Sequence, residues 1–536
     1  MDAEQRLRLI ELADQYPSTV KQSYGTAGFR SDASLLNSTV FRMGILAVLR
    51  SLKTQSTIGL MITASHNKVS DNGIKIADPS GCMLFQEWEP FAEALANASS
   101  SEHLLQVIEE FAKKENISFN NMKTSEVLLG RDTRPSGKAL LEVAKQGISS
   151  ISGAIAHDLG ILSTPQLHWM VSARNKGVGA LECDYFHQLS TSFRQLMSLN
   201  PKNHYEDVVV VDGANGVGGD KLAALKPFLE GLKIEIRNRG EDGGVLNKAV
   251  GADFVQKEKI APRGFGSNDA GLRCASLDGD GDRLVYFTPS RDAARQIVLV
   301  DGDKILSLFA LFIRHQLSLM DSEPIRFGAV QTAYANGAST SHLRNSGVEV
   351  VLTATGVKHL HKEAERYDIG IYFEANGHGT VLFSDALLRR LEGGTEGTSV
   401  EQNAALRLLA VSKLMNQAVG DALSGFLLVE AVLNYYGWDL YTWNGMYNDL
   451  PSQQLKVKVR DRTAVVTSKD ERTVVAPRGI QEMIDVEIGK YERGRCFIRP
   501  SGTEDVIRVY AEAVTEDNAQ KLAHSVAQLV QQFLGL

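Results

Sequence analysis

Residues 207–229 read DVVVVDGANGVGGDKLAALKPFL: a run of valines, a glycine-rich turn, then leucines and alanines at helical spacing. Consecutive β-branched residues suit a strand buried on both faces, here 207–211, and the change to a 3.6-residue period over 220–229 marks a strand passing through a turn into a crossover helix. The succession recurs. A strand-like run at 58–63 precedes a polar turn, 126–129 precedes a helical pattern at 138–149, 297–300 precedes 304–315, 328–332 follows, and 348–352 precedes 357–367. Such alternation predicts α/β layering, with parallel sheets joined by crossover helices. The last hundred residues differ: short strands at 455–459, 496–498 and 506–512, then an amphipathic helix over 518–534, predict a smaller α+β domain. Polar or glycine-rich stretches near Asn175, Arg291 and 391–401 are plausible boundaries or surface loops.

The 536 residues exceed what one core supports and argue for several domains. Apolar residues at 43% and charged residues at 23% exclude collagen-like, disordered and membrane classes, and a net charge of -7 advertises neither a nucleic-acid nor a membrane surface. An anionic substrate would therefore need a local positive site. The cysteines Cys82, Cys183, Cys274 and Cys496 stand far apart without a CxxC pair, as expected of packing residues in a reduced compartment. The opening MDAEQRLRLIELADQ has no apolar core of a signal peptide, and no apolar run approaches a membrane span, so a cytoplasmic protein is expected.

Four loops hold side chains that carry chemistry. TASHN (63–67) ends a strand and is followed by DNGIK (71–75), so Ser65, flanked by His66 and with Lys75 nearby, suits a nucleophile or phosphate carrier, although SHN alone is also an ordinary turn. No GxSxG elbow supports a serine hydrolase. LDGDGDR (277–283) alternates Asp278, Asp280 and Asp282 with glycines; three carboxylates so close repel one another unless a hard cation lies among them. The EF-hand pattern fails, since Arg283 and Pro289 occupy its glycine and glutamate positions, and an open oxygen site of this kind suits Mg²⁺ completed by a phosphate oxygen, with Arg283 beside it to touch the same phosphate. In FEANGHGT (373–380), Glu374 and Asn376 follow a strand and offer what vicinal sugar hydroxyls require, though polar turns with two glycines are common. RPSGTED (499–505) with Arg508 combines guanidinium groups, hydroxyls and exposed amides, a phosphate cradle without any Walker-type competitor.

Together the four loops, with YGTAGFR (24–30) and GRDTR (130–134), resemble the α-D-phosphohexomutase superfamily over essentially the entire chain. Two features make it most similar to the members acting on N-acetylglucosamine phosphates: TASHN precedes GRDTR, and the sugar loop has the FEANGHGT wording. VQTAYANG (330–337) and TGVKHLH (355–361), which contains Gly356, look like the same subclass. Lys68 and Gly281 depart from the commoner Pro and Ala without removing a reacting group.

The resemblance implies three consecutive mixed-sheet α/β domains and a smaller C-terminal α+β domain around a central cleft. The segments would be 1–185 with the phosphoserine loop, 186–298 with the metal loop, 299–430 with the sugar loop and 431–536 with the phosphate loop. It implies reversible interconversion of N-acetylglucosamine 6-phosphate and 1-phosphate, feeding UDP-N-acetylglucosamine synthesis. Ser65 would carry a phosphoryl group on one Mg²⁺ held with Asp278, Asp280 and Asp282, and a sugar bisphosphate would serve as intermediate and activator. Lys75 is expected as base, a role that requires cationic neighbours to lower its pKa, while Arg30 and His66 supply positive charge and hydrogen bonds. Arg283, Gly356, Glu374, Asn376, His378, Arg499, Ser501, Gly502, Thr503 and Arg508 are expected on the substrate. The partners implied are hexosamine phosphates, with no nucleic acid or membrane, and a monomer is expected. Another hexose-phosphate specificity, a metal-dependent sugar-phosphate phosphatase and a noncatalytic sensor are the alternatives.

Overall fold

The computed structural model describes residues 1–119, 124–201, 208–241, 243–291, 296–320, 324–393, 397–501 and 505–535. The chain forms two compact units, Met1–Leu299 with Lys413–Asn434, and Val300–Ser412 with Tyr435–Leu536.

In the first unit one sheet is built from β1 (Phe29–Asp32), β2 (Ile58–Ile62), β3 (Asp71–Ala77), β4 (Ser125–Arg131) and β5 (Ala154–Ile161), in the order β1-β3-β2-β4-β5. β2, β4 and β5 run parallel, as their intervening helices require, but β3 lies antiparallel to both β1 and β2. The sheet is thus mixed, as the resemblance implies, its parallel strands being those that crossover helices join. The eight residues joining β2 to β3 are too few for a crossover helix, so the chain must turn back, and the turn it makes carries Ser65. The second sheet contains β6 (Val209–Asp212), β7 (Ile234–Arg237), β8 (Arg273–Leu277), β9 (Leu284–Pro289) and β10 (Ile297–Val300), ordered β10-β9-β8-β6-β7. β6, β7 and β8 are parallel; β8 and β9 form an antiparallel hairpin whose turn is the DGDGD loop. The helix Ala422–Tyr436 sends Glu430 onto this sheet, where its carboxylate pairs with buried Arg273 at 2.8 Å and accepts from Tyr286 at 3.0 Å.

In the second unit β11 (Phe327–Thr332), β12 (Glu349–Thr353), β13 (Ile369–Phe373) and β14 (Gly379–Phe383) are ordered β12-β11-β13-β14, with β13 and β14 an antiparallel hairpin around the sugar loop. The C-terminal part holds β15 (Ser452–Lys458), the small hairpin β16 (Val466–Thr467) and β17 (Val474–Ala476), then β18 (Arg495–Pro500) and β19 (Val506–Glu512). β15, β19 and β18 form an antiparallel sheet. Leu522, Val526 and Val530, one helical turn apart on Glu516–Leu534, are fully buried in the same core as Ile498, Ile507 and Val509 of that sheet.

Cys274 and Cys496 are buried and burial pushes both thiols up to about 12, in keeping with packing, whereas Cys183 is exposed and the packing reading fails for it. Among the described residues no helix is long and apolar enough to cross a membrane.

The helices Asn37–Thr54 and Gly137–Ser149 touch through glycines: a Cβ at Gly147 would lie 1.9 Å from the Phe41 carbonyl oxygen, and one at Gly44 would lie 2.5 Å from that of Ala144. Backbone cannot yield as a side-chain tip does. Gly147→Ala is therefore expected to lower stability by about 1–3 kcal/mol through overpacking. An unchanged urea midpoint would show that the helices separate freely.

Candidate active site

Ser65 begins the β2–β3 turn with φ +52, a left-handed conformation that a non-glycine residue holds only when its surroundings impose it. The surroundings are visible. Its N–H donates to Thr63 Oγ1 (2.9 Å), which donates to Asp132 Oδ2 (2.7 Å), and Asp132 forms a buried ion pair with Arg134. Arg134 Nη2 donates to the carbonyls of Ser65 (3.1 Å) and Asn67 (2.8 Å), and Asn247 Nδ2 donates to the same two at 2.8 and 3.0 Å. The backbone is fixed from two sides, leaving the hydroxyl to point at the β8–β9 turn.

There Ser65 Oγ donates to Asp278 Oδ2 at 2.8 Å. Asp278, Asp280 and Asp282 each bring a carboxylate oxygen within 4.8 Å of the others, and all are buried. The loop folds this tightly because Gly281 takes φ +75 and because the Asp282 and Arg283 amides donate back to Asp278 Oδ1 at 2.9 and 3.1 Å. Burial, then the charges of Asp282 and Asp280, push the Asp278 carboxyl well above its ordinary range. Burial and Asp282 press Asp280 the same way, yet Lys75 Nζ at 2.8 Å and Thr164 Oγ1 at 2.6 Å outweigh them and hold it ionised. Asp280 Oδ1 is buried without a hydrogen-bond partner among the described residues. Converging hard oxygens, an orphaned carboxylate oxygen among them, fit a divalent cation such as magnesium.

Lys75 lies on β3 opposite Met61 of β2, and its Nζ also reaches Asp282 Oδ2 at 3.2 Å. Burial opposes its charge and Arg30 adds repulsion, but Asp280 and Asp282 prevail and raise its pKa. The condition set for a base, a pKa lowered by cationic neighbours, is not met here: Lys75 is the counter-ion of the acidic cluster. His66 is corrected similarly. Burial first, then Arg283 and Arg30, push its pKa down to about 2, so it is neutral and supplies no charge. Arg30, on β1 opposite Gly73, feels Arg283 and the three aspartates. Arg283 pairs with Asp253 at 3.0 Å.

In the second unit, Glu374, Asn376 and His378 occupy the β13–β14 turn. The Glu374 N–H donates to the His378 carbonyl (2.9 Å), while Asn376 Oδ1 accepts from the His378 N–H (2.9 Å) and so braces the turn itself. His378 is buried and Glu374 half-buried. Gly302, at the start of the helix Gly302–Ser318, presses on this turn and donates to the Ala375 carbonyl at 3.2 Å. Arg499 on β18 and Arg508 on β19 are cross-strand partners, and Ser501 is buried with its N–H on the Val506 carbonyl at 2.8 Å. Gly502 and Thr503 lie outside the described residues. Gly356 caps the helix Val357–Ala364. Thr164, Arg134, Asp132 and Asn247 received no role from sequence, although GRDTR contains two of them.

The comparisons agree with this geometry. The family described as phosphoglucomutase/phosphomannomutase, α/β/α domain I, matches residues 44–103 and 96–181; its C-terminal domain matches 455–529; and the family described as phosphoacetylglucosamine mutase AMG1, domain III, matches 301–438. Fold and loops together define a phosphohexomutase. The phosphoacetylglucosamine mutase of Arabidopsis thaliana is 59% identical over 554 aligned residues, covering 100% of both chains. An Aspergillus fumigatus N-acetylphosphoglucosamine mutase, solved with GlcNAc-6P and magnesium, is 40% identical with a TM-score of 0.93 over 99% of each chain. A point variant of the fungal enzyme, solved with glucose 1,6-bisphosphate, matches at 40% identity and a TM-score of 0.92, again over 99% of each chain. The chain belongs to the phosphoacetylglucosamine mutase family of the α-D-phosphohexomutase superfamily.

Arg134→Ala would leave Asp132 buried without its counter-charge and is expected to cost about 3–5 kcal/mol in chemical denaturation. Removing both side chains together should recover part of that loss. A double variant as unstable as the sum of the singles would mean that the two residues do not act as a pair.

Proposed function

We propose that the chain interconverts N-acetylglucosamine 6-phosphate and N-acetylglucosamine 1-phosphate through a phosphorylated Ser65 and a sugar bisphosphate, supplying UDP-N-acetylglucosamine synthesis. The observation that carries the reading is the Ser65 hydroxyl 2.8 Å from Asp278, its backbone held in a left-handed turn beside the acidic cluster. Magnesium held by Asp278, Asp280 and Asp282 with the phosphate on Ser65 would withdraw charge from the phosphoryl group in transfer.

The other roles belong to this chain's side chains. Ser65 donates its phosphoryl group to a sugar hydroxyl and recovers one from the opposite end of the bisphosphate; the same bisphosphate, added from outside, primes a bare serine. Lys75 takes the attacking hydroxyl's proton. It starts as an ammonium paired with Asp280 and Asp282, so it acts as a base only where the charge of those carboxylates is met otherwise. Arg30 and Arg283 supply positive charge toward phosphate oxygens, and neutral His66 a hydrogen bond. Glu374, Asn376 and His378 hold ring hydroxyls; Gly356, Arg499, Ser501, Gly502, Thr503 and Arg508 hold the phosphate that is not reacting.

The division 1–185, 186–298, 299–430 and 431–536 is proposed for the domains. Each of the first, third and C-terminal sheets falls within one segment, and β10 straddles the second border. A cytoplasmic location and a monomeric state are the accompanying proposals; free cysteines without a CxxC pair support a reduced compartment.

Ser65→Ala is expected to abolish isomer formation while leaving the circular dichroism spectrum and melting temperature near those of the parent. Normal turnover, or intact-mass spectra of the working parent enzyme showing no phosphoryl adduct, would remove Ser65 from the scheme. Release of free phosphate in place of the isomer would identify water as the acceptor and favour a phosphatase. Arg508→Ala should raise KM for both isomers by roughly 10- to 100-fold, the loss expected of a charged hydrogen bond. An unchanged KM for both would move the phosphate site elsewhere.

A further inference from the structure

Glu471 stands in the turn between β16 and β17 with φ +59, and its N–H donates to the Ser468 carbonyl at 2.9 Å. One oxygen of its side chain, Oε2, accepts from three donors: Arg499 Nη1 at 2.9 Å, Thr355 N–H at 3.0 Å and Thr355 Oγ1 at 2.5 Å. A guanidinium, a main-chain amide and a hydroxyl converging on one anionic oxygen is the donor set that binds a phosphoryl oxygen. Thr355 immediately precedes Gly356, the cap of the helix Val357–Ala364, so its amide lies at the positive end of that helix. The Nε atoms of Arg499 and of its cross-strand neighbour Arg508 are buried without a hydrogen-bond partner among the described residues. Donor capacity exceeds what one carboxylate uses.

Glu471 is also placed to leave. Its side chain retains 21% of its exposure against 14% for Arg499, and it hangs from a hairpin of strands only two and three residues long. So short a ladder opens at low cost, and the released carboxylate would regain its hydration.

We propose that Thr355 and Arg499 form an anion subsite for a phosphoryl oxygen of the substrate and that Glu471 is its internal placeholder, displaced when the sugar phosphate binds. The inference rests on the reading that Arg499 holds a phosphate. The placeholder keeps the guanidinium aligned and its charge matched while the subsite is free of phosphate, and it makes every incoming anion compete. A phosphate with several oxygens can satisfy the Nε donors as well; a monoanion with fewer acceptors cannot, so the contact discriminates in favour of phosphate.

The test is calorimetric titration of the full chain with inorganic phosphate and, separately, with N-acetylglucosamine 6-phosphate. Glu471→Gln is expected to bind both probes about 3- to 10-fold more tightly, the range set by a largely buried, charge-assisted pair that keeps some solvent contact. Thr355→Val and Arg499→Ala should bind both more weakly. Glu471→Asp, with its carboxylate drawn back by one methylene, should fall between parent and Glu471→Gln; it also serves as the test should loss of the charge unfold the hairpin. Equal or weaker binding by the Glu471 variants would make the carboxylate a fixed support of Arg499 and overturn the proposal. Tightening confined to inorganic phosphate would overturn the assignment to the substrate. If Arg499→Ala leaves both affinities unchanged, the underlying phosphate reading fails too; if it weakens them while Glu471→Gln tightens nothing, only the placeholder falls.

Discussion

Three carboxylates buried within 4.8 Å of one another govern the first unit. At such separations each charge raises the free energy of the others by several kcal/mol at an effective dielectric constant of about 20, so the cluster persists only if its neighbours are arranged to oppose it. Lys75 reaches it from β3, Thr164 from the start of the helix Thr164–Asn175, and the Asp282 and Arg283 amides from the loop itself. These groups come from segments far apart in sequence, which is why the β2–β3 hairpin and the β8–β9 hairpin must pack as they do. The orphaned Asp280 Oδ1 indicates that the compensation is incomplete without a further cation.

Ser65 is subject to a second constraint, imposed through its backbone. A serine in the left-handed region carries strain of roughly 1–3 kcal/mol, and here the donors on its carbonyl and the acceptor on its amide sustain it. Arg134 and Asn247 both grip the Ser65 and Asn67 carbonyls, and Arg134 is itself fixed by Asp132. Nothing in this arrangement touches the hydroxyl. The turn is rigid where it must be, and Oγ is left with Asp278 as its near partner, the position from which a bound phosphoryl group would meet the metal site.

What sequence could show follows from what is local. The alternation of apolar runs with helical periodicity located β2, β4, β6, β10, β11 and β12; β2 and β6 are buried along their whole length, and burial on both faces leaves a compositional trace. β3 was not legible as a strand: DNGIKIA begins with turn formers, and only its pairing with β1 and β2 makes it one. The DGDGD loop announced itself through the alternation of charge and glycine within six residues. The state of Lys75 did not, since it depends on Asp280 and Asp282 lying 2.8 and 3.2 Å away from a residue some two hundred positions earlier. His66 likewise reads as a cation on paper and is neutral once Arg283 and Arg30 face it in a buried setting. Glu471 lies in SKDERT, an unremarkable charged turn, and its meaning comes wholly from Thr355 and Arg499.

A mutase that returns a phosphoryl group to the opposite end of the same sugar must bind two ligands whose phosphates are attached at different carbons. Contacts specific to either attachment would favour one orientation and slow the other. In the proposed scheme the arginine pair on β18 and β19 would meet this demand, because guanidinium groups read oxygens and charge, features common to both ends of the bisphosphate. Discrimination would then fall, in the same scheme, to the β13–β14 turn, where Asn376 already spends its carbonyl on bracing the backbone. Its amide N–H groups and the Glu374 carboxylate remain the chemically distinctive features of that turn, donors two residues along the chain from an acceptor. A pair of this kind can serve a ring hydroxyl presented from either direction, since each hydroxyl both donates and accepts. Under that scheme the tolerance for two orientations and the selectivity for a hexose would have separate physical sources, charge in one loop and paired hydrogen bonding in the other.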